Sequence, residues 1–188
     1  MTYVHQAGEK VHPYDPPQDN VLLVTCMDLR LLDNIVAFMN HDNLCNRYDH
    51  VVFAGAALGA MGAPGGKDKH GLPDERPAWH VTFEHHLGAA VSLHQVKDVY
   101  ILEHRGCGAY NKVFHIFKEE EGAEVALEWH AHYAQLLEEF IDNWSTANSW
   151  PLRIHKFIMD LRGDVTMLPK LDEMKSPAKR KPAKPRKK

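Results

Sequence analysis

The chain has 188 residues, of which 44% are hydrophobic, and a formal net charge of −3 at pH 7. This length suits one domain with a substantial core, and no apolar run approaches the roughly 20 residues that a membrane-spanning helix needs. The first 20 residues lack the basic and then apolar pattern of a secretory signal. The three cysteines, Cys26, Cys45 and Cys107, are too few for a disulfide framework. We therefore predict a cytoplasmic protein without membrane contact, in which a reducing environment favours metal binding by cysteine.

The charge is divided unevenly along the chain. Residues 175–188 hold eight of the 22 basic residues and no acidic residue, which leaves 14 basic against 25 acidic residues before them. With three prolines and almost no apolar side chains there, residues 173–188 predict a disordered basic tail. Such a tail could contact nucleic acid, an acidic partner or the acidic body of the chain, or it could act only as a solubilising extension.

The first predicted elements are an arm, a strand and a helix. Residues 1–20 are proline-rich and predict an extended arm. Residues 21–25 are a nearly continuous apolar run rich in β-branched side chains, which is typical of a parallel strand buried on both faces. Apolar residues then recur at helical spacing, which predicts a helix over 29–43 with Asp28 as its N-cap.

The middle of the chain predicts a strand, a long loop, a helix and another strand. The second strand is expected at 51–54, and small residues follow it. Glycines, prolines and charges over 59–77 predict a long loop of the kind that often forms the rim of a site. Residues 79–95 predict a helix with a small-residue face, and residues 97–102 predict a third strand.

The last third of the chain predicts one helical region and two strands. Residues 111–145 show helical spacing, and Gly122 is expected to break the region in two. A fourth strand is expected at 152–159, and an antiparallel edge strand at 165–168 follows a turn. Strands that alternate with helices predict an α/β fold over residues 21–172, a mainly parallel sheet of about four strands plus the antiparallel edge strand, flanked by helices.

Three residues with metal-ligating side chains follow two of these strands. Cys26 comes directly after the first strand, and His104 and Cys107 come after the third. Ligands bind beyond the carboxyl ends of the strands in an open parallel sheet, so the three side chains converge if these two strands are neighbours. Two thiolates and one imidazole are typical ligands of Zn²⁺, and an open fourth position is typical of a catalytic site.

Asp28 and Arg30 lie two and four residues after Cys26. At this spacing the two side chains can form an ion pair beside the open position of the metal. Such a pair would keep the Asp28 carboxylate ionised and correctly oriented.

Together these residues form the motifs Cys-x-Asp-x-Arg after the first strand and His-x-x-Cys-Gly after the third, a combination that resembles the β-class carbonic anhydrases. The resemblance implies that Cys26, His104 and Cys107 bind Zn²⁺ and that Asp28 and Arg30 form the catalytic dyad. It implies a zinc lyase in which a zinc-bound hydroxide converts CO2 reversibly to bicarbonate and a proton. It further implies that Asp28 can become a fourth ligand in a closed state, and that the protein forms a homodimer or a dimer of dimers.

The chain departs from this family in one segment. The family usually carries Arg-Asn-Ala-Gly after its second strand, whereas the corresponding residues here are Phe53, Ala54, Gly55 and Ala56. We expect these four residues, with Gly108, to line the substrate pocket. An apolar pocket wall favours a second hypothesis, a carbonyl sulfide or carbon disulfide hydrolase with the same metal site. A third hypothesis is a catalytically silent zinc-binding relative that acts through interactions of its basic tail.

The remaining cysteine and the paired histidines do not predict a second metal site. Cys45 has no partner at ligand spacing, and we interpret it as a core or surface thiol. Two pairs, His85 with His86 and His130 with His132, are expected to be surface or packing residues. Some clustering is expected among 14 histidines, and His130 and His132 would lie on different faces of a helix.

Overall fold

The computed structural model describes residues 14–174, apart from the side chain of Glu173. The predicted basic tail from residue 175 onward and residues 1–13 of the predicted arm lie outside the described residues. Within the described part of the chain, no helix is both long enough and apolar enough to cross a membrane.

The described residues form a five-stranded sheet with helices on both faces. The strands and α-helices of the described residues are β1 (Val21–Cys26), α1 (Leu32–His41), β2 (Tyr48–Phe53), α2 (Ala57–Ala60), α3 (Pro77–His94), β3 (Asp98–His104), α4 (Ala123–Ala147), β4 (Arg153–Met159) and β5 (Val165–Met167). The strand order is β2-β1-β3-β4-β5, in which the first four strands are parallel and β5 is antiparallel to β4. This confirms the predicted α/β fold.

The two central strands are buried on both faces, as their apolar sequences predict. Leu22 and Val24 of β1 face a core that they share with α2, α3 and α4. Leu23 of β1 and Tyr100 of β3 point to the opposite face, where they pack with α1. The carboxyl ends of β1 and β3 therefore lie side by side at one edge of a rigid sheet.

The first helix begins three residues later than the spacing predicts. The carboxylate of Asp28 accepts the backbone N–H of Arg30 at 3.1 Å, and the chain turns over residues 29–30 before α1 begins at Leu32. Asp28 is therefore not the N-cap of α1, because Leu31 occupies that position without a side-chain hydrogen bond. The short polar side chain stabilises a turn here instead of a helix terminus.

The predicted helical region 111–145 is regular only in its second part. Two short helical turns, at Ala109–Val113 and Glu119–Glu121, precede α4. His115 has a φ of +47° between them, a conformation that an α-helix cannot contain. Gly122 has a φ of +93° and directly precedes α4, so it marks the start of the long helix.

Candidate metal centre

The ends of β1 and β3 bring together the three predicted ligands. β1 pairs with β3 in parallel, with Leu23 opposite Tyr100, so Cys26 and His104 end adjacent strands. Cys107 follows in the turn after β3, and the ligand atoms of the three side chains all lie within 4.8 Å of one another. Within residues 14–174, no other group of three such side chains comes together in this way.

The separations of these atoms fit a tetrahedral metal. The sulfur atoms of Cys26 and Cys107 are 3.7 Å apart, and both cysteines are free. This distance is far longer than the roughly 2.05 Å of a disulfide. Two zinc–sulfur bonds of about 2.3 Å that meet at a tetrahedral angle place their sulfur atoms about 3.8 Å apart, which is close to the observed distance.

The imidazole of His104 has the tautomer that a metal ligand requires. Its Nδ1 lies 3.0 Å from the carbonyl oxygen of Arg105, and a carbonyl only accepts, so Nδ1 carries the proton. The lone pair of the neutral ring is therefore on Nε2, which is buried and has no hydrogen-bond partner among the described residues. A buried nitrogen acceptor beside two sulfur atoms fits a zinc site, because a metal would satisfy it.

The two cysteines differ in acidity. A hydrogen bond from the Cys107 thiol makes the largest contribution to lowering the pKa of Cys26, which falls to about 4. The same bond to Cys26, together with burial, raises the pKa of Cys107. One thiolate is thus present at neutral pH, and a cation would displace the proton of the second thiol on binding.

Asp28 and Arg30 lie beside the three ligands as a bidentate ion pair. Arg30 donates from Nε to Oδ1 at 2.8 Å and from Nη2 to Oδ2 at 2.6 Å. These bonds lower the pKa of Asp28 to about 2, so the carboxylate is ionised at neutral pH. Oδ2 of Asp28 is 3.9 Å from Nε2 of His104, and Arg30 also donates to the carbonyl of Gly106 at 3.3 Å. The pair therefore links β1 to the turn that carries Cys107, and the role of Asp28 as a fourth ligand stays a prediction.

A cleft of about 510 Å³ opens next to this pair. It is lined by Met27, Asp28, Leu29, Arg30, Gly106, Gly108, Asn111, Lys112 and Glu119. Gly108 thus lies in the cleft, and it has room because a Cβ on this residue would meet no described atom within 4 Å. The cleft offers two carboxylates, a guanidinium and an ammonium group to a small polar molecule.

The segment from Phe53 to Ala56 contacts the centre from the other side. The backbone N–H of Gly55 donates to the sulfur of Cys26 at 3.3 Å. The ring of Phe53 packs with Trp79 and Phe83 at centroid distances of 6.2 and 6.4 Å, and the segment is not among the residues that line the cleft. The pocket role of Phe53, Ala54, Gly55 and Ala56 therefore stays a prediction.

Sequence reasoning did not identify Glu103, Tyr110 and His130 as site residues. The carboxylate of Glu103 is fully buried directly before His104, where it accepts hydrogen bonds from Tyr110 Oη at 3.2 Å and His130 Nδ1 at 2.7 Å. The signal was an acidic residue at the end of an otherwise apolar strand. His130 is a buried packing residue, which agrees with its interpretation from the sequence, and Cys45 is exposed.

Comparison of the sequence with known proteins finds two uncharacterized relatives, and no family model matches the chain. An uncharacterized protein of Rickettsia conorii is 27% identical over 150 residues, which cover 79% of this chain and 72% of that protein. An uncharacterized protein of Rickettsia bellii is also 27% identical over 150 residues and covers 79% of this chain and 81% of that protein.

Solved structures provide a clearer likeness. The E54A mutant of the β-carbonic anhydrase CafD from Aspergillus fumigatus superposes with a TM-score of 0.50 at 12% identity, over 82% of this chain and 91% of CafD. A carbonic anhydrase from Streptococcus mutans gives a TM-score of 0.46 at 16% identity, over 84% of this chain and 86% of that chain. Identities this low show a shared fold and leave activity open. The chain thus has a β-carbonic anhydrase-like fold, with a Cys-His-Cys group at its sheet edge that could hold a metal ion.

Proposed function

We propose that the protein is a zinc-dependent carbonic anhydrase that hydrates CO2 reversibly to bicarbonate and a proton. The observation that carries this proposal is the buried, unpartnered Nε2 of His104, which lies among the sulfur atoms of Cys26 and Cys107 and 3.9 Å from the Asp28 carboxylate. Two sulfur ligands, one nitrogen ligand and an adjacent ionised carboxylate are the parts that metal-assisted hydration needs.

Five residues share three tasks in this proposal. Cys26, His104 and Cys107 would hold Zn²⁺, which when bound acidifies a coordinated water and so supplies a nucleophile at near-neutral pH. The Asp28 carboxylate accepts a hydrogen bond from the reacting water and thereby orients this water toward the cleft. Arg30 fixes both carboxylate oxygens, which keeps Asp28 ionised and in place.

Stopped-flow measurement of CO2 hydration on protein with verified zinc content tests the proposal. We expect a zinc-dependent rate well above that of buffer, and we expect Cys107→Ser to lose both the metal and the rate. Cys45→Ser is the matched control, because the Cys45 thiol is exposed and outside the ligand group. Absence of hydration with zinc fully bound would contradict the proposal.

Hydrolysis of carbonyl sulfide or carbon disulfide is the second candidate function. It is favoured by the apolar residues Met27 and Leu29 in the cleft, and by Phe53 and Ala54 where the family usually carries arginine and asparagine. Release of hydrogen sulfide from either compound by the same zinc-loaded sample, without CO2 hydration, would select this candidate. Zinc binding without either reaction would leave the third hypothesis, a silent relative that acts through interactions.

We also propose a homodimer or a dimer of dimers. Three apolar side chains, Met27, Leu29 and Leu32, are exposed where the chain leaves β1, and Leu29 is 91% exposed. Clustered exposed apolar residues are typical of an interaction surface. Light scattering on the full chain and on the double variant Met27→Ser/Leu29→Ser tests this, with a monomeric wild type as the contradicting result.

Interaction of the basic tail with an acidic partner or nucleic acid is a separate proposal, which deletion of residues 175–188 tests by loss of binding.

A further inference from the structure

A fully buried carboxylate lies directly behind the candidate metal centre. Glu103 precedes His104 in β3 and is 0% exposed, and its side chain points to the face of the sheet that Val99 and Ile101 also occupy. Since side chains alternate along a strand, Glu103 and the ligand His104 lie on opposite faces. Burial of a carboxylate is costly unless hydrogen bonds compensate it, so its bonding partners indicate what it does.

The first partner of Glu103 leads to the sulfur of Cys26. Oε1 accepts the backbone N–H of Ala57 at 2.9 Å, at the start of α2. Two residues earlier, the backbone N–H of Gly55 donates to Cys26 Sγ at 3.3 Å. Glu103 therefore holds in place the short loop 55–57, in which the N–H of Gly55 is a hydrogen-bond donor to the ligand Cys26.

The second partner leads to Cys107. Oε2 accepts the hydroxyl of Tyr110 at 3.2 Å. Tyr110 lies three residues after Cys107, in the short helical turn Ala109–Val113 that follows this ligand. One carboxylate is thus attached both to the loop that donates to the Cys26 sulfur and to the helical turn that follows Cys107.

The third partner attaches this arrangement to α4. His130, which is 1% exposed, donates from Nδ1 to Oε2 of Glu103 at 2.7 Å, and its ring lies 4.2 Å from that of Tyr110 between centroids. A cavity of about 210 Å³ lies on this side of Cys107, with His130 and Asn111 among its lining residues. Cys107 is 3% exposed and packs in the main core with Ala109 and Tyr110, so the hydrogen bonds of Glu103 act together with packing to hold its turn in place.

We propose that Glu103 is a positioning residue that orients both cysteine ligands through Ala57 and Tyr110. It touches no reacting atom and acts through the loop whose Gly55 N–H donates to the Cys26 sulfur and through the helical turn that follows Cys107. Direct hydrogen-bond partners of metal ligands commonly change metal affinity by about 10- to 100-fold when they are removed, and Glu103 lies one bond further from the ligands, so we expect an effect at the lower end of this range. This inference rests on the metal centre of the proposed function, although not on the identity of the substrate.

Co²⁺ titration of the full chain tests the proposal, because sulfur-to-cobalt charge-transfer absorption reports the ligands directly. We expect the wild type to bind one Co²⁺ with strong charge-transfer bands. We expect Glu103→Gln to bind it about tenfold or more weakly, with shifted bands at saturation. Tyr110→Phe removes a single hydroxyl, so it tests the same link with less disturbance of the fold, and we expect a smaller shift in the same direction.

Asp98→Asn is the matched control for a loss of stability alone. Asp98 begins the same strand and is also a buried carboxylate, bonded to Arg153 and His155, but it lies about 16 Å from Glu103 along β3. We expect this variant to bind Co²⁺ with the affinity and spectrum of the wild type.

The possible outcomes separate the inference from the proposed function. A wild type that does not bind Co²⁺ or Zn²⁺ would overturn the metal centre itself. A wild type that binds Co²⁺, with Glu103→Gln and Tyr110→Phe identical to it in affinity and spectrum, would overturn the positioning role and leave the metal centre intact. Equal spectral shifts in Asp98→Asn would also overturn it, because the effect would then be general.

Discussion

Arg30 binds both carboxylate oxygens of Asp28, with Nε 2.8 Å from Oδ1 and Nη2 2.6 Å from Oδ2. The same guanidinium reaches the carbonyl of Gly106, one residue before the candidate ligand Cys107. A carboxylate bound in this way has little rotational freedom, and its orientation depends on the turn that carries this candidate ligand. The position of Asp28 is therefore coupled to the geometry of the centre.

Replacement of Asp28 by asparagine is expected to reduce CO2 hydration about 100-fold or more, since a general-base or orienting group contributes on this scale. Arg30→Gln should reduce the rate less, by about tenfold or more, because it misplaces the carboxylate without removing it. Stopped-flow kinetics at equal zinc content measure both effects. Asp33→Asn is the control, as Asp33 is exposed in the first turn of α1. A full rate in Asp28→Asn would rule out its assigned task.

Zinc content is expected to depend on two of the three cysteines. Cys26→Ser and Cys107→Ser should each lower the zinc retained after dialysis from about one ion per chain to nearly none, because serine is a poor replacement for a thiolate ligand. Cys45→Ser should retain the wild-type content. Mass spectrometric metal analysis provides the measurement, and equal loss of zinc in all three variants would contradict the assigned ligand set.

The stability of the fold is expected to fall at acidic pH through Asp98. Burial alone would raise the pKa of this carboxyl, but hydrogen bonds from Arg153 and His155 outweigh burial, so the pKa is lowered. An unfolded aspartate titrates near 3.9. Asp98 therefore contributes fully to stability above that pH, and the contribution is lost as the pH falls through the lower pKa of the folded state.

Asp98→Asn should accordingly lower the free energy of unfolding by about 2 kcal/mol at pH 7, less than for a fully buried pair because Arg153 is 60% exposed. The difference between variant and wild type should shrink below about pH 4. Urea unfolding at pH 7 and pH 3.5 measures it. A difference that is independent of pH would show that the ionised carboxylate is not responsible.

Gly163 is expected to tolerate no side chain. It has a φ of +97°, and a Cβ at this position would lie 2.7 Å from Cγ of Asn34 in α1. Gly163→Ala should therefore destabilise the protein by about 2 kcal/mol or more, through backbone strain together with displacement of Asn34.

Gly71→Ala is the matched control for Gly163→Ala. Gly71 also has a positive φ, of +80°, but a Cβ there would meet no described atom within 4 Å. This variant should lose only the backbone contribution of about 1 kcal/mol. Thermal unfolding of both variants separates the two effects, and equal losses would mean that contact with Asn34 adds nothing.

The elements that sequence predicts best are those with a strong local pattern. β1 and β3 follow from apolar runs, and the meeting of Cys26 with His104 and Cys107 follows once those strands are adjacent. The motif spacing also places Asp28 next to Arg30, as the structure shows. These features depend on few residues and on general rules for parallel sheets.

The features that sequence did not predict depend on contacts between distant segments. Glu103 meets His130 across 27 positions and Ala57 across 46 positions, and no local periodicity indicates such pairs. The irregular chain before α4 contains His115 with a positive φ, which its residue type does not signal. The aromatic packing of Phe53 is likewise a tertiary contact, and β-strand pattern alone does not indicate it.

The residue that orients His104 follows β3 directly and is hydrogen-bonded to β4. Arg105 accepts the imidazole proton with its carbonyl and donates its own N–H to Met159 of β4 at 2.9 Å. The ring is therefore preorganised by strand pairing, and a cation would meet a ligand that is already in its binding orientation. Small zinc domains fold only when the metal arrives. Here strand pairing already orders this ring, so we expect binding of an ion at the centre to be opposed little by the cost of ordering the His104 side chain.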